Sequence, residues 1–345
     1  MEGSMFRDGF SGGLPAIVLS LLLACPAFAG EGAAPPVPEA GAAPVTLKHL
    51  PAEITTAATR AMMLSSARAG KRIVAVGDHG IVLLSDTDGA DFRQAKSVPV
   101  RSTLTAVCFV DEKTGWAVGQ WGVVLRTNDA GETWTVQRSD TATDRPLFSV
   151  HFKDKERGWA VGLWSLVLET KDGGKTWITV QLPPPPGGKK ADRNLQKIFA
   201  NRMGTLFVAA EQGTVLWSYD GERWAYINTG YKGTFWTGIS LNNGTLLVGG
   251  LRGTIYRSND DGRSWKESKT DLKSSITDFA EAGGKVYAAA LDGVLLESDN
   301  GGVSFQGTQR PERTPFTALC VNSVGKLVKF SKQGVVKDPP NQPSK

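Results

Sequence analysis

Short apolar runs of four to seven residues, rich in Val, Ile, Leu and Phe and bounded by Gly or by Asp and Asn, recur through most of the chain. One unit runs Leu104–Val110, then Gly115–Gly119 (Gly-Trp-Ala-Val-Gly), then Gly122–Thr127, then a polar turn closing on Trp134. The next copy starts at Leu147 and passes through Gly158–Gly162, again Gly-Trp-Ala-Val-Gly, to Trp177. Phe92, Trp134, Trp177, Trp224, Trp265 and Phe305 close successive units at steps of 42, 43, 47, 41 and 40 residues. The long step holds an insertion, Pro183–Gly188. Runs of this length between turn residues are strand signals, and no helical period accompanies them.

Three clear strands and a fourth after the aromatic make a four-stranded antiparallel unit. Such a unit cannot bury both faces alone, so the copies must stack radially. Solenoid coils use shorter repeats without this turn chemistry. The expected fold is all-β, a seven-bladed β-propeller. The seventh unit is short, with Phe316–Val321, Lys326–Phe330 and Gly334–Val336 but no fourth run. Val45–Leu50 is expected to supply that strand and close the ring, leaving no free edge. The expected organisation is a signal peptide over 1–29, a flexible leader over 30–44, the propeller over 45–338 and a disordered tail over 339–345.

The signal reading rests on Met5 as a start, Arg7, an apolar run from Leu14 to Ala24, and Ala27-Phe28-Ala29 before the cut. That run is too short to span a membrane. A lipobox over Leu22–Cys25, with Cys25 acylated, is the competing reading. The expected location is the periplasm or extracellular side of a bacterium, peripheral to the membrane at most. Losing residues 1–29 removes Arg7, Glu2 and Asp8, taking the net charge from +5 to +6. Export makes nucleic acid a poor partner.

The turn between the third and fourth strands follows Ser/Thr-x-Asp-x-Gly-x-x-Trp at Asp129, Asp172 and Asp260. It is one residue short at Asp220, and Thr87 and Asn300 replace the acid in blades 1 and 6. The pattern resembles the Asp-box of sialidases and related propellers. The physical reading is structural: the carboxylate caps turn N–H groups, Gly takes positive φ, and Trp packs between blades. Catalysis would need two facing acids, or a Tyr and a Glu, at one mouth. Asp78, Glu211 and Asp292 instead sit singly on separate blades, and the Arg-Ile-Pro segment of sialidases is missing. With His49, His79 and His151 as the only histidines, no metal set, cofactor motif or Ser-His-Asp elbow emerges. A non-enzymatic protein is expected, and a glycoside hydrolase or carbohydrate-binding propeller is the alternative.

Gly-Trp-Ala-Val-Gly, then Gly-x-x-Leu-x-Thr, then Asp-x-Gly-x-Thr-Trp, is similar to the repeat of the photosystem II stability/assembly factor family. The resemblance covers about residues 45–338 and is sharpest in blades 2 and 3. It implies a seven-bladed assembly factor that holds a membrane-protein partner from the lumenal or periplasmic side, with an arginine-rich patch on one face.

A basic residue precedes the first strand of each blade by two to four positions: Arg60, Arg101, Arg145, Arg193, Lys232, Lys273 and Arg313. The first apolar anchors are Leu64, Leu104, Leu147, Leu195, Phe235, Ile276 and Phe316. First strands line a propeller's channel, so their lead-in loops surround one mouth. Five of the seven are arginine, whose planar fork suits carboxylate or phosphate. Trp121, Trp164, His79 and Arg252 occupy neighbouring loop tips, and exposed Trp beside Arg is hot-spot composition. The expectation is a monomer whose mouth grips an acidic or carboxylate-bearing segment of an envelope or membrane protein. Cys108 and Cys320 lie at equivalent positions two blades apart, beyond disulfide reach, and are expected free and buried.

Overall fold

The computed structural model describes residues 50–337, and the signal, the leader and the tail lie outside them. The described chain forms seven antiparallel sheets around one axis. Blade 2 shows the plan, with Leu104–Phe109 innermost, then Gly115–Gly119, Val124–Thr127 and Thr135–Arg138 at the rim. Blades 1 and 3–6 repeat it, and blade 7 has three strands, Phe316–Val321, Leu327–Ser331 and Gly334–Val336. The closing strand expected from Val45–Leu50 falls outside the described residues except for Leu50, which is not in a strand. Beyond it the chain follows blade 1: Ala52 N–H donates to Val98 O at 3.0 Å and Thr55 N–H to Gln94 Oε1 at 3.0 Å. Among the described residues, no helix is long and apolar enough to cross a membrane.

The second strands of blades 2–5 are fully buried between blades, which explains their unbroken apolar character. Trp116 stacks on Phe152 of blade 3 at 5° between planes, and its Nε1 donates to Gly173 O at 3.1 Å. Gly174, in the same turn, has φ of 90°, and a Cβ there would lie 3.1 Å from the Trp116 ring nitrogen.

Every inner strand carries a register shift after its first residue, as between Leu104 and Ala106 or Phe235 and Thr237. The extra residue of such a bulge is released from the ladder. In blade 1 the buried anchor is Met63, so Leu64, the anchor read from the pattern, is the bulge residue instead and faces the channel. The next blade's inner strand is not paired in the same sheet, and side chains bridge the gap. Thr105 Oγ1 donates to Leu147 O at 2.6 Å, Thr277 Oγ1 to Phe316 O at 3.0 Å, and Thr317 Oγ1 to Met63 O. One residue further on, Ser65, Ser149 and Asp278 accept the backbone N–H of Val107, Ile198 and Leu319. These clasps satisfy polar groups that the propeller geometry leaves without a ladder partner.

Candidate functional site

Alternating strand direction sorts the loops. Lead-in loops and second-to-third-strand tips share the mouth face, and the Asp-containing turns take the opposite one. At those turns Asp129 accepts Thr133 N–H at 2.9 Å and the hydroxyls of Thr133 and Thr127 at 2.6 and 2.8 Å. Trp134 Nε1 donates to Gly131 O at 2.9 Å. Asp172 and Asp260 repeat the arrangement, so these carboxylates are used inside their own turns. Hydrogen bonds from Thr176, side chain first and backbone next, hold Asp172 down at about 2. Four cations on this face are answered by acids, Arg93–Asp86 at 2.9 Å, Arg72–Glu132 at 3.2 Å, Arg157–Glu169 at 2.8 Å and Lys171–Glu222 at 2.6 Å, whereas Lys175 and Arg263 in the turns are exposed without an ion pair to any described residue. Among the described residues, no group of three His, Cys, Asp or Glu could hold a metal ion.

The mouth face differs. Arg60, Lys232, Lys273 and Arg313 are exposed and make no ion pair with any described residue. Of the other three basic positions, two are engaged and one is withdrawn from the surface. Arg101 pairs with Glu53 at 2.8 Å, and Arg193 reaches Thr214 Oγ1 and lies over the Tyr226 ring at 5.8 Å. Arg145 is half-buried, with its Nε enclosed and unpartnered. Four cations, not seven, are therefore presented freely. The pattern could show that each blade offers one, but not which ones a neighbouring loop would claim.

The tips beside them share an unusual backbone. His79, Trp121, Trp164, Gln212, Arg252 and Asp292 all have φ between 51° and 60°. Left-handed backbone costs an ordinary residue roughly 1–2 kcal/mol, and it recurs here in six blades. The cause is crowding, because each tip turns hard against a lead-in loop. A Cβ on Gly80 would lie 2.0 Å from Val100 O, and one on Gly213 1.9 Å from Tyr231 O. Of the tip residues read from the sequence, His79, Arg252 and Trp164 are exposed, the last at 60%, whereas Trp121 is half-buried.

The isolated mouth acids are held by their surroundings. Glu211 accepts both Asn194 N–H and Asn194 Nδ2 at 2.9 Å, and Asp78 accepts Thr103 Oγ1 at 2.9 Å. Asp292 lies 3.4 Å from Ser274 Oγ. Within the apolar clusters of the blades, burial pushes both thiols up to about 12; Cys108 and Cys320 are unbridged, the first half-buried and the second buried. Sequence reasoning passed over the channel wall. Thr105, Thr277 and Thr317, each directly after a first-strand anchor, were the available signal.

A model of the family described as photosynthesis system II assembly factor YCF48 matches residues 85–221. A solved structure described as YCF48 bound to D1 peptide is 18% identical with a TM-score of 0.65, covering 84% of this chain and 95% of that one. YCF48 from Cyanidioschyzon merolae is 15% identical with a TM-score of 0.63, covering 80% of this chain and 94% of that one. No curated protein matches the chain. At these identities the structural likeness is one of fold: the chain is a seven-bladed β-propeller, and its residues 85–221 are similar to the photosynthesis system II assembly factor YCF48 family.

Proposed function

We propose that this protein is an exported, non-catalytic assembly factor that holds an envelope or membrane protein through its basic mouth. The observation that carries the reading is a set of exposed cations at equivalent lead-in positions around one mouth: Arg60, Lys232, Lys273 and Arg313 make no ion pair with any described residue. Exposed, unpaired cations around a rim raise the local concentration of an acidic partner and speed its capture. Trp164 and Arg252 at neighbouring tips add an apolar anchor and a donor fork. That a YCF48 structure is described with a D1 peptide bound supports a segment of a membrane protein as the kind of partner. The signal-like sequence over 1–29 supports export, and the partner is accordingly sought in the envelope.

The test is capture from envelope extract with wild type and an Arg60→Glu, Lys232→Glu, Lys273→Glu, Arg313→Glu variant as baits. The reading expects the variant to lose the partner while its melting temperature stays within a few degrees. Undiminished capture by a folded variant would overturn it.

A further inference from the structure

The clasps between inner strands are missing where they would be built from blades 4 and 5. Blades 1, 2, 3, 6 and 7 each spend a side chain on the next blade's backbone, through Ser65, Thr105, Ser149, Thr277 with Asp278, and Thr317. At the same two positions blade 4 places Gln196 and Lys197, and blade 5 places Trp236 and Thr237. None of these four makes such a bond among the described residues. Lys197 has no hydrogen-bond or ion-pair partner among them, and Thr237, 1% exposed, places its hydroxyl beside the Asp278 carboxyl. All four line a cavity of about 360 Å3 in the channel, together with Phe148 and Asp278. The four residues without a clasp thus share one open-mouthed channel cavity with the clasp residues Ser65, Thr105, Thr277 and Thr317, and its volume is large enough for a small ligand.

The lining chooses the ligand's chemistry. Lys197 on blade 4 and Asp278 on blade 6 face the same cavity from either side of blade 5, without forming an ion pair. Asp278 uses Oδ2 for Leu319 N–H at 2.9 Å. Burial pushes its carboxyl up, and the Lys197 charge opposes that. A lone carboxylate ligand would answer Lys197 but face Asp278, and a lone amine would do the reverse. A molecule carrying both charges answers both.

We propose that the channel cavity binds an α-amino-acid-like zwitterion, with its carboxylate on Lys197, its ammonium on Asp278 and an apolar or aromatic side chain against Trp236 and Phe148. The site lies inside the ring and does not rest on the partner reading of the rim cations.

Calorimetric titration of the full-length protein tests this with L-phenylalanine and L-leucine, each against its one-charge analogues. For phenylalanine these are 3-phenylpropionate and 2-phenylethylamine. Loss of one charge-assisted contact corresponds to about tenfold or more in affinity, so both analogues are expected to bind at least about tenfold more weakly. Lys197→Met should erase the preference for phenylalanine over phenylethylamine. Asp278→Asn keeps the acceptor for Leu319 and should erase the preference over phenylpropionate. The Arg60→Glu, Lys273→Glu rim variant should bind phenylalanine like wild type, which separates this site from the partner surface. No binding of either amino acid, equal binding of an analogue, or an unchanged preference in a folded Lys197→Met protein would each overturn the proposal. If Asp278→Asn fails to fold, the Lys197→Met comparison decides it.

Discussion

Ser66 Oγ donates to the Leu319 carbonyl at 3.1 Å, joining the inner strands of blades 1 and 7 across 253 residues. Thr317 Oγ1, donating to Met63 O, makes the companion bond at the same junction. Two hydroxyls therefore bridge the channel side of the junction where the ring closes on itself. A net intramolecular hydrogen bond contributes about 1 kcal/mol. Ser66→Ala and Thr317→Val should each lower stability by about that amount, seen as a lower urea midpoint at unchanged slope. Thr105→Val, which breaks the clasp between blades 2 and 3, should cost about the same. No shift in any of the three would mean the clasps are incidental.

The crowding at the mouth tips predicts a larger effect from a smaller change. Gly213 has φ of 62°, and an added methyl would lie 1.9 Å from Tyr231 O, a backbone atom that cannot swing aside. Gly213→Ala should cost upwards of about 3 kcal/mol, against about 1–2 kcal/mol for Gly204→Ala, which bears the backbone strain alone. Gly204 has a similar φ of 81° but open space around it. Thermal melts of the two variants separate steric collision from backbone strain.

The turn aspartates should prove structural and replaceable by asparagine. Asn300 already holds that position in blade 6, accepting Ser304 N–H at 3.0 Å and donating to Ser304 Oγ at 2.8 Å. Asp129→Ala and Asp260→Ala are each expected to cost about 1 kcal/mol. The matching Asn variants should lose less, and calcium should leave the melting temperature of the wild type unchanged. A rise on adding calcium would assign these turns a metal.

Burial, with the nearby Lys197 charge as a second cause, holds His151 down at about 4 against an ordinary 6.5. The folded state therefore resists protonation that the unfolded chain accepts. Its contribution is complete above about 6.5 and is lost as pH falls from there toward about 4, amounting to about 3 kcal/mol at most. Melting temperatures recorded from pH 7.5 to pH 4.5 should fall less steeply in His151→Gln than in wild type. Parallel curves would show that His151 titrates freely.

Fold and blade count were legible because each blade is a local event. Strand period, turn residues and the closing aromatic all lie within some 40 residues, and a unit that cannot bury both faces alone leaves stacking as the outcome. The tip of blade 3 was legible as well: Trp164 was placed at the mouth from its position in the repeat, and it stands 60% exposed.

The repeat by itself determined the seven sheets, the two faces, and one basic residue in every lead-in loop. Tertiary structure decided which cations stay free. Arg101 meets Glu53 from the segment ahead of blade 1, and Arg193 turns to Thr214 and Tyr226, contacts that no offset within a repeat encodes. It also decided which channel residues are spent on clasps and which are released, because a clasp joins one blade to the backbone of the next. Lys197 and Thr237 look like ordinary strand residues in the chain. Only with the ring assembled do they share a cavity with Asp278, since the inner strands converge on the axis from blades that are distant in sequence.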